Sequence, residues 1–138
     1  MGLSIQMTPG SRFAKRVFLV AGIYGLLVIL PQYSLEARIA RDFPPAITHP
    51  EYFYGFIGVA LAWQVAFLLI ARDVERYRLM MLPAIIEKVT FGVAALLLYA
   101  NGRSPGSIAG GGAVDLVFAV LFALSFRATR SGVGAWPR

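Results

Sequence analysis

The sequence predicts an all-α polytopic membrane protein, a four-transmembrane-helix bundle with both termini cytoplasmic. Three observations carry that prediction. Of 138 residues, 58% are hydrophobic and only 14% are charged, against about 45–50% and roughly 25% in a soluble domain. The apolar residues gather into four runs, residues 17–33, 52–71, 79–100 and 108–126, each about as long as a helix crossing ~30 Å of hydrocarbon. The basic residues are unevenly shared among the connections between those runs. A bilayer interior leaves no water to bond the backbone, so the runs should be helices. One transmembrane domain over residues 1–138 is expected, with no internal repeat. The low polarity excludes a disordered chain. The lack of cysteine excludes disulfides, thiolate zinc sites, iron–sulfur clusters and cysteine nucleophiles.

Orientation follows from the basic residues. With the N-terminus inside, nine fall on the inner side: Arg12, Lys15, Arg16, Arg72, Arg76, Arg78, Arg127, Arg130 and Arg138. Three fall outside: Arg38, Arg41 and Arg103. Such a bias marks the cytoplasmic side. The net charge of +6 does not point to nucleic acid, because the charges lie in short clusters between apolar runs rather than on one face.

The first run follows basic residues as a signal peptide would. It is long, however, and ends in Pro31-Gln32-Tyr33 with no small-residue cleavage site close behind. It is read as a retained helix. Gln6 stands where a myristoylation signal carries Ser or Thr. The loop at residues 34–51 should hold a short interfacial helix over 34–43. Ser34 is its cap, Leu35 and Ile39 share a face, and Phe43-Pro44-Pro45 ends it. Pro50 suits a helix start, and Tyr52, Phe53 and Tyr54 suit the water–lipid boundary. His49 is the sole histidine and has no second His or Cys to complete a site, so neither metal nor cofactor is expected.

The turn Arg72-Asp73-Val74-Glu75-Arg76-Tyr77-Arg78 is short, so the second and third spans should be antiparallel neighbours. Its arginines, Arg72, Arg76 and Arg78, anchor topology and are candidates for anionic lipid headgroups. Residues 101–107, rich in Gly, Pro and Ser, read as a turn, and residues 128–138 as a loosely ordered tail.

Charges at bilayer depth cost ~2.5–3.5 kcal/mol each on insertion scales. Three need a reason here: Glu87, Lys88 and Asp115. Tyr24, Gln64 and Thr90 are uncharged companions. At ~1.5 Å per residue, Tyr24, Gln64 and Glu87 fall in one layer ~10–12 Å from the inner face, with Asp115 at ~18 Å near Thr90. Lys88 lies between the layers and reaches either on its long stem. Glu87 and Lys88 are adjacent, so their side chains leave the helix about 100° apart and cannot both aim at one neighbour. Lys88 should share its face with Ile85, Gly92 and Ala95. Pro83 leaves two placements. A helix starting at Leu82 puts it harmlessly in the first turn, and one starting near Arg78 would be kinked by it.

Trp63 is read as a packing residue, with a cavity wall as the alternative. Ala21 with Gly25, and Gly58 with Ala62, have the four-residue spacing of close helix contacts. Gly110-Gly111-Gly112 is either a close-packed helix start or a local break. No nucleotide-binding loop, HExxH motif or serine-hydrolase elbow is present.

The stretch from His49-Pro50-Glu51-Tyr52-Phe53-Tyr54-Gly55 through Arg72-Asp73 to Glu87-Lys88 resembles small four-helix bacterial membrane proteins of the broad DoxX-like kind. The resemblance covers roughly the central and C-terminal two thirds and implies a bacterial inner-membrane setting. It carries no functional residue over. The function expected first is association in the bilayer, as an accessory subunit of a larger membrane complex or as a homo-oligomer. A small-solute or proton-coupled transporter using the Glu87, Lys88 and Asp115 cluster is the alternative. A membrane-embedded enzyme acting on a lipid-like substrate through Glu87 and Asp115 is a third. Convergence of the three charges on an open cavity would favour the latter two, and a filled core would favour association.

Overall fold

A computed structural model describes residues 7–129. The tail beyond Thr129, with Arg130 and Arg138, lies outside the described residues, as does Gln6. The described chain is helical throughout: α1 (Pro9–Ile29), α2 (Glu36–Asp42), α3 (Pro50–Arg72), α4 (Met81–Ala100) and α5 (Gly106–Ala128). Four stretches are long and apolar enough to cross a membrane. They are Pro9–Ser34 with 26 residues, and Pro50–Arg72, Arg78–Ala100 and Gly106–Ala128 with 23 each. These are the marks of an integral membrane protein.

Each helix has a local cause, and some boundaries differ from expectation. α1 starts at Pro9, well before residue 17. Thr8 Oγ1 accepts the Ser11 backbone N–H at 3.1 Å, and Pro9 needs no donor at a first helical position. The basic residues Arg12, Lys15 and Arg16 are therefore an exposed first turn and a half of α1 rather than a flank. Pro31 turns the far end into a 3₁₀ segment, Leu30–Ser34. Ser34 closes that segment and does not cap α2, whose N-cap position is Leu35 without a side-chain bond. Instead α2 is held from its first residue, Glu36, which accepts the Tyr54 hydroxyl at 2.6 Å. A 3₁₀ turn, Arg78–Met80, leads into α4, and Pro83 falls in the first turn of that helix, where its missing N–H leaves no bond unmade. α5 runs unbroken through Gly110-Gly111-Gly112.

The packing order is the chief departure from the sequence reading. α1 pairs with α3, α4 pairs with α5, and α1 joins the two pairs along α5. α3 and α4 follow one another across a short turn yet scarcely pack, with a Phe56–Phe91 ring contact at 5.9 Å bridging between them. A short connection limits how far apart two helix ends lie, but small residues decide which faces close. Gly22 and Gly25 let α1 approach Leu68 and Gln64 of α3. Gly92 and Gly112 bring α4 and α5 into backbone contact, where a Cβ on Gly92 would stand 2.8 Å from the Gly112 carbonyl oxygen. Of the two spaced pairs, Ala21 and Gly25 are buried, whereas Ala62 is exposed.

The end of the bundle where α1 and α4 begin and α3 and α5 finish is the terminal end. Its half is filled by aromatic rings from three helices. Phe18 stacks on Phe122 at 4.1 Å, and Phe67 meets Phe122 edge-on at 5.0 Å. Met81 and Ala84 of α4 complete this core, and Trp63 packs on its margin against Phe67.

Candidate functional site

The far half of the bundle is built differently. There the four long helices surround a cavity of about 260 Å³. Each contributes residues spaced four apart on one face: Phe56, Ala60 and Gln64 from α3, Glu87 and Phe91 from α4, and Gly111 and Asp115 from α5. α1 contributes Tyr24, Gly25 and Val28, with Gln32 from the turn that follows. Tyr24, Val28, Phe56 and Ile108 are lining residues that are also exposed, so the cavity opens outward.

The three charges meet on the cavity wall. Lys88 Nζ donates to Asp115 Oδ1 at 3.1 Å and lies 3.4 Å from Glu87 Oε2. The same ammonium stands 5.3 Å from the centre of the Phe67 ring, on the side of the aromatic core. All three side chains are largely withdrawn from the surface, at 8% exposure for Lys88, 20% for Glu87 and 13% for Asp115. The expectation that Glu87 and Lys88 cannot share a neighbour holds for their Cβ directions only. The lysine stem is long enough to fold its ammonium back between the two carboxylates. Lys88 shares its buried face with Gly92 and Ala95, while Ile85 is half-buried.

Gln64 sits on the opposite wall. Its Nε2 donates to the Ala60 carbonyl at 2.9 Å, and its side chain fills the space left by Gly25, where a Cβ would collide with Oε1. Gln64 is 2% exposed. Its Oε1 and Glu87 Oε2 have no hydrogen-bond partner among the described residues. Glu87 Oε2 thus has the Lys88 ammonium in ion-pair range without a bond aligned to it. Buried acceptors left open are costly, by about 1–3 kcal/mol each.

Five of the six polar residues singled out from the sequence line this one cavity: Tyr24, Gln64, Glu87, Lys88 and Asp115. Thr90 does not. It is exposed, and its hydroxyl bonds back to the Ile86 and Glu87 carbonyls of its own helix at 2.8 and 3.1 Å. Of the apolar walls, Phe56, Phe91, Ala60 and Gly111, the sequence reading marks only Gly111, as part of the glycine run, and assigns none of them to a cavity. Their signal is the four-residue spacing from Gln64, Glu87 and Asp115.

At the terminal end the three turn arginines divide. Arg72 and Arg76 are exposed. Arg78 is committed internally: Nε and Nη2 donate to the Phe126 carbonyl at 3.3 and 3.0 Å, and the guanidinium lies 3.6 Å from the Phe126 ring centre. It satisfies a carbonyl near the α5 C-terminus, where positive charge is favoured. At the far end His49 is exposed and paired with Glu51 at 3.1 Å.

No family model matches the chain, and neither a curated protein nor a solved structure does.

Proposed function

We propose that the protein is a small integral membrane protein that takes up a small solute in the cavity between its four long helices, as a solute-binding or transporting unit. The observation that carries this reading is the position of Glu87, Lys88 and Asp115 on a cavity wall. An association role, as accessory subunit or homo-oligomer, needs the three charges only to neutralise one another in a filled core. The filled core exists, but it lies in the other half of the bundle. Charged groups at bilayer depth that face a cavity are where membrane proteins handle polar solutes and protons.

The proposal places the terminal end in the cytoplasm, because Arg12, Lys15, Arg16, Arg72 and Arg76 are all exposed there. Arg72 and Arg76 then face the headgroups of the inner leaflet. A bacterial inner membrane is the setting that the DoxX-like resemblance implies, and it is part of this proposal.

The chain contains no cysteine, so a single introduced thiol reports on one place. Gly111→Cys puts a thiol on the cavity wall, and Val117→Cys puts one on the outer face of the same helix, where Val117 is 59% exposed. In proteoliposomes, a water-borne methanethiosulfonate reagent is expected to label the first and spare the second. Labelling of Gly111→Cys from both faces of the vesicle supports transport, and from one face only, binding. If neither thiol reacts, the solute reading fails.

A further inference from the structure

The charge count of the cavity narrows what it holds, granted the solute-binding reading above. Two carboxylates, Glu87 and Asp115, face it with one ammonium, Lys88. Lys88 gives its hydrogen bond to Asp115 and stands against the Phe67 ring, which leaves Glu87 the less satisfied of the two acids. Among the described residues, Lys88 is the only basic one on the wall. When both acids are ionised the wall carries one uncompensated negative charge in a medium that stabilises isolated charges poorly.

A second observation points the same way. Gln64, which also lines the cavity, is almost fully buried, and its acceptor Oε1, packed against Gly25, has no hydrogen-bond partner among the described residues. The open polar atoms of the wall are therefore acceptors. The remaining surface is apolar and aromatic: Phe56 and Phe91 lie with ring centres 5.9 Å apart, and Tyr24 closes a third side. Ring faces attract cations, most strongly where water is excluded. At 260 Å³ the space is slightly below the roughly 300–1,000 Å³ of clefts for drug-sized ligands.

We propose that this cavity is a binding site for a small organic cation, an ammonium borne on an apolar body, of about nine non-hydrogen atoms in all when each is allowed the ~30 Å³ of a water molecule. The ammonium sits at Glu87, on the side facing Gln64, and the apolar body lies against Phe56, Phe91 and the open face of Gly111. A proton is its competitor at Glu87. The other ionisable groups facing that carboxylate are Tyr24 from α1, Lys88 on its own helix and Asp115 from α5, while α3 supplies only the neutral Gln64. A lipid headgroup ammonium shares this chemistry but brings a phosphate, for which the wall offers no basic group besides the committed Lys88.

Calorimetric titration of the whole protein in phosphatidylglycerol nanodiscs tests this. The probes are 2-phenylethylammonium, whose N–H groups can donate to the acceptors of the wall, and N-benzylformamide, a neutral molecule of similar size. The cation is expected to bind about tenfold or more tightly than the amide, the ratio one charge-assisted contact supplies. Glu87→Gln should erase that ratio, and Gly111→Leu, which grows a side chain into the cavity, should remove binding of both. Equal binding of the two probes overturns the cation inference and leaves the solute cavity standing. Binding of neither overturns both. Repeating the titration with phosphatidylethanolamine in the disc separates the sources. Unchanged affinity assigns the site to a free cation, and suppression of at least tenfold overturns that assignment in favour of the headgroup.

Discussion

The two halves of this bundle use the same four helices to opposite ends. In the terminal half, α1, α3 and α5 each send a phenylalanine to one level, and Phe18, Phe67 and Phe122 are all at 0% exposure. In the far half the facing positions are small, Gly25, Ala60 and Gly111; Gln64 fills the gap at Gly25, and the space beside Ala60 and Gly111 stays open. Both halves are built on the same four helices, each long and apolar enough to cross a membrane. Side-chain size at a given level, rather than hydrophobicity, decides whether a membrane bundle is filled or hollow there. In lipid the apolar effect between helices is weak, so contact and packing carry the stability. Charge can be kept where packing is given up, provided it is paired.

The largest expected break in this comparison is Lys88→Met. It leaves Glu87 and Asp115 facing each other without a cation, and loss of one partner from a buried ionic cluster costs about 3–5 kcal/mol. Unfolding in mixed micelles should show it, and Glu87→Gln, which leaves the Lys88–Asp115 pair intact, should fall well short of it. Equal losses would mean that Lys88 is not the hub. Next comes Phe18→Ala in the filled half. The unfolded helices stay in lipid, so the transfer contribution largely vanishes and the lost contacts remain, at roughly 2–3 kcal/mol. The same measurement on Phe56→Ala at the cavity should give a smaller loss, since Phe56 is half exposed.

The smallest effects sharpen the comparison most. Gly111 and Gly112 are consecutive residues on α5. A Cβ on Gly112 would lie 2.6 Å from the Ala95 Cβ, while one on Gly111 meets nothing within 4 Å. Gly112→Ala should therefore destabilise by about 1–3 kcal/mol through overpacking. Gly111→Ala should be neutral or stabilising, by up to about 1 kcal/mol, because alanine suits a helix better than glycine. If the two variants unfold alike, the packed and open faces of α5 at this level are not as distinct as the structure has them.

Much of this was legible in the sequence. The long helices follow from run length, and the charged cluster follows from three residues standing where charge is expensive. The start of α1 was legible too, since Thr8-Pro9 is a helix-start signal, but it is overshadowed by the later onset of apolar residues. Two features depend on information that one helix does not carry. Helix rotation decides that Gln64 meets Gly25 and that Thr90 faces away from the cluster. Spatial order decides that α3 leans on α1 rather than on α4. The Arg72–Arg78 turn is compatible with either neighbour, and the choice is made by Gly22 and Gly25 on one side and by Gly92 and Gly112 on the other.

The pairing of Lys88 with Asp115 bears on biogenesis. The two residues belong to successive helices of one hairpin, so their ion pair depends on no earlier part of the chain. Each charge alone would cost ~2.5–3.5 kcal/mol on entering hydrocarbon. A hairpin that enters the bilayer with its lysine already matched to an aspartate avoids part of that penalty without help from α1 or α3. Arg78, bonded to the Phe126 carbonyl, ties the open end of the same hairpin. α4 and α5 thus carry the Lys88–Asp115 pair within one hairpin, and α1 and α3 supply the remaining walls of the cavity.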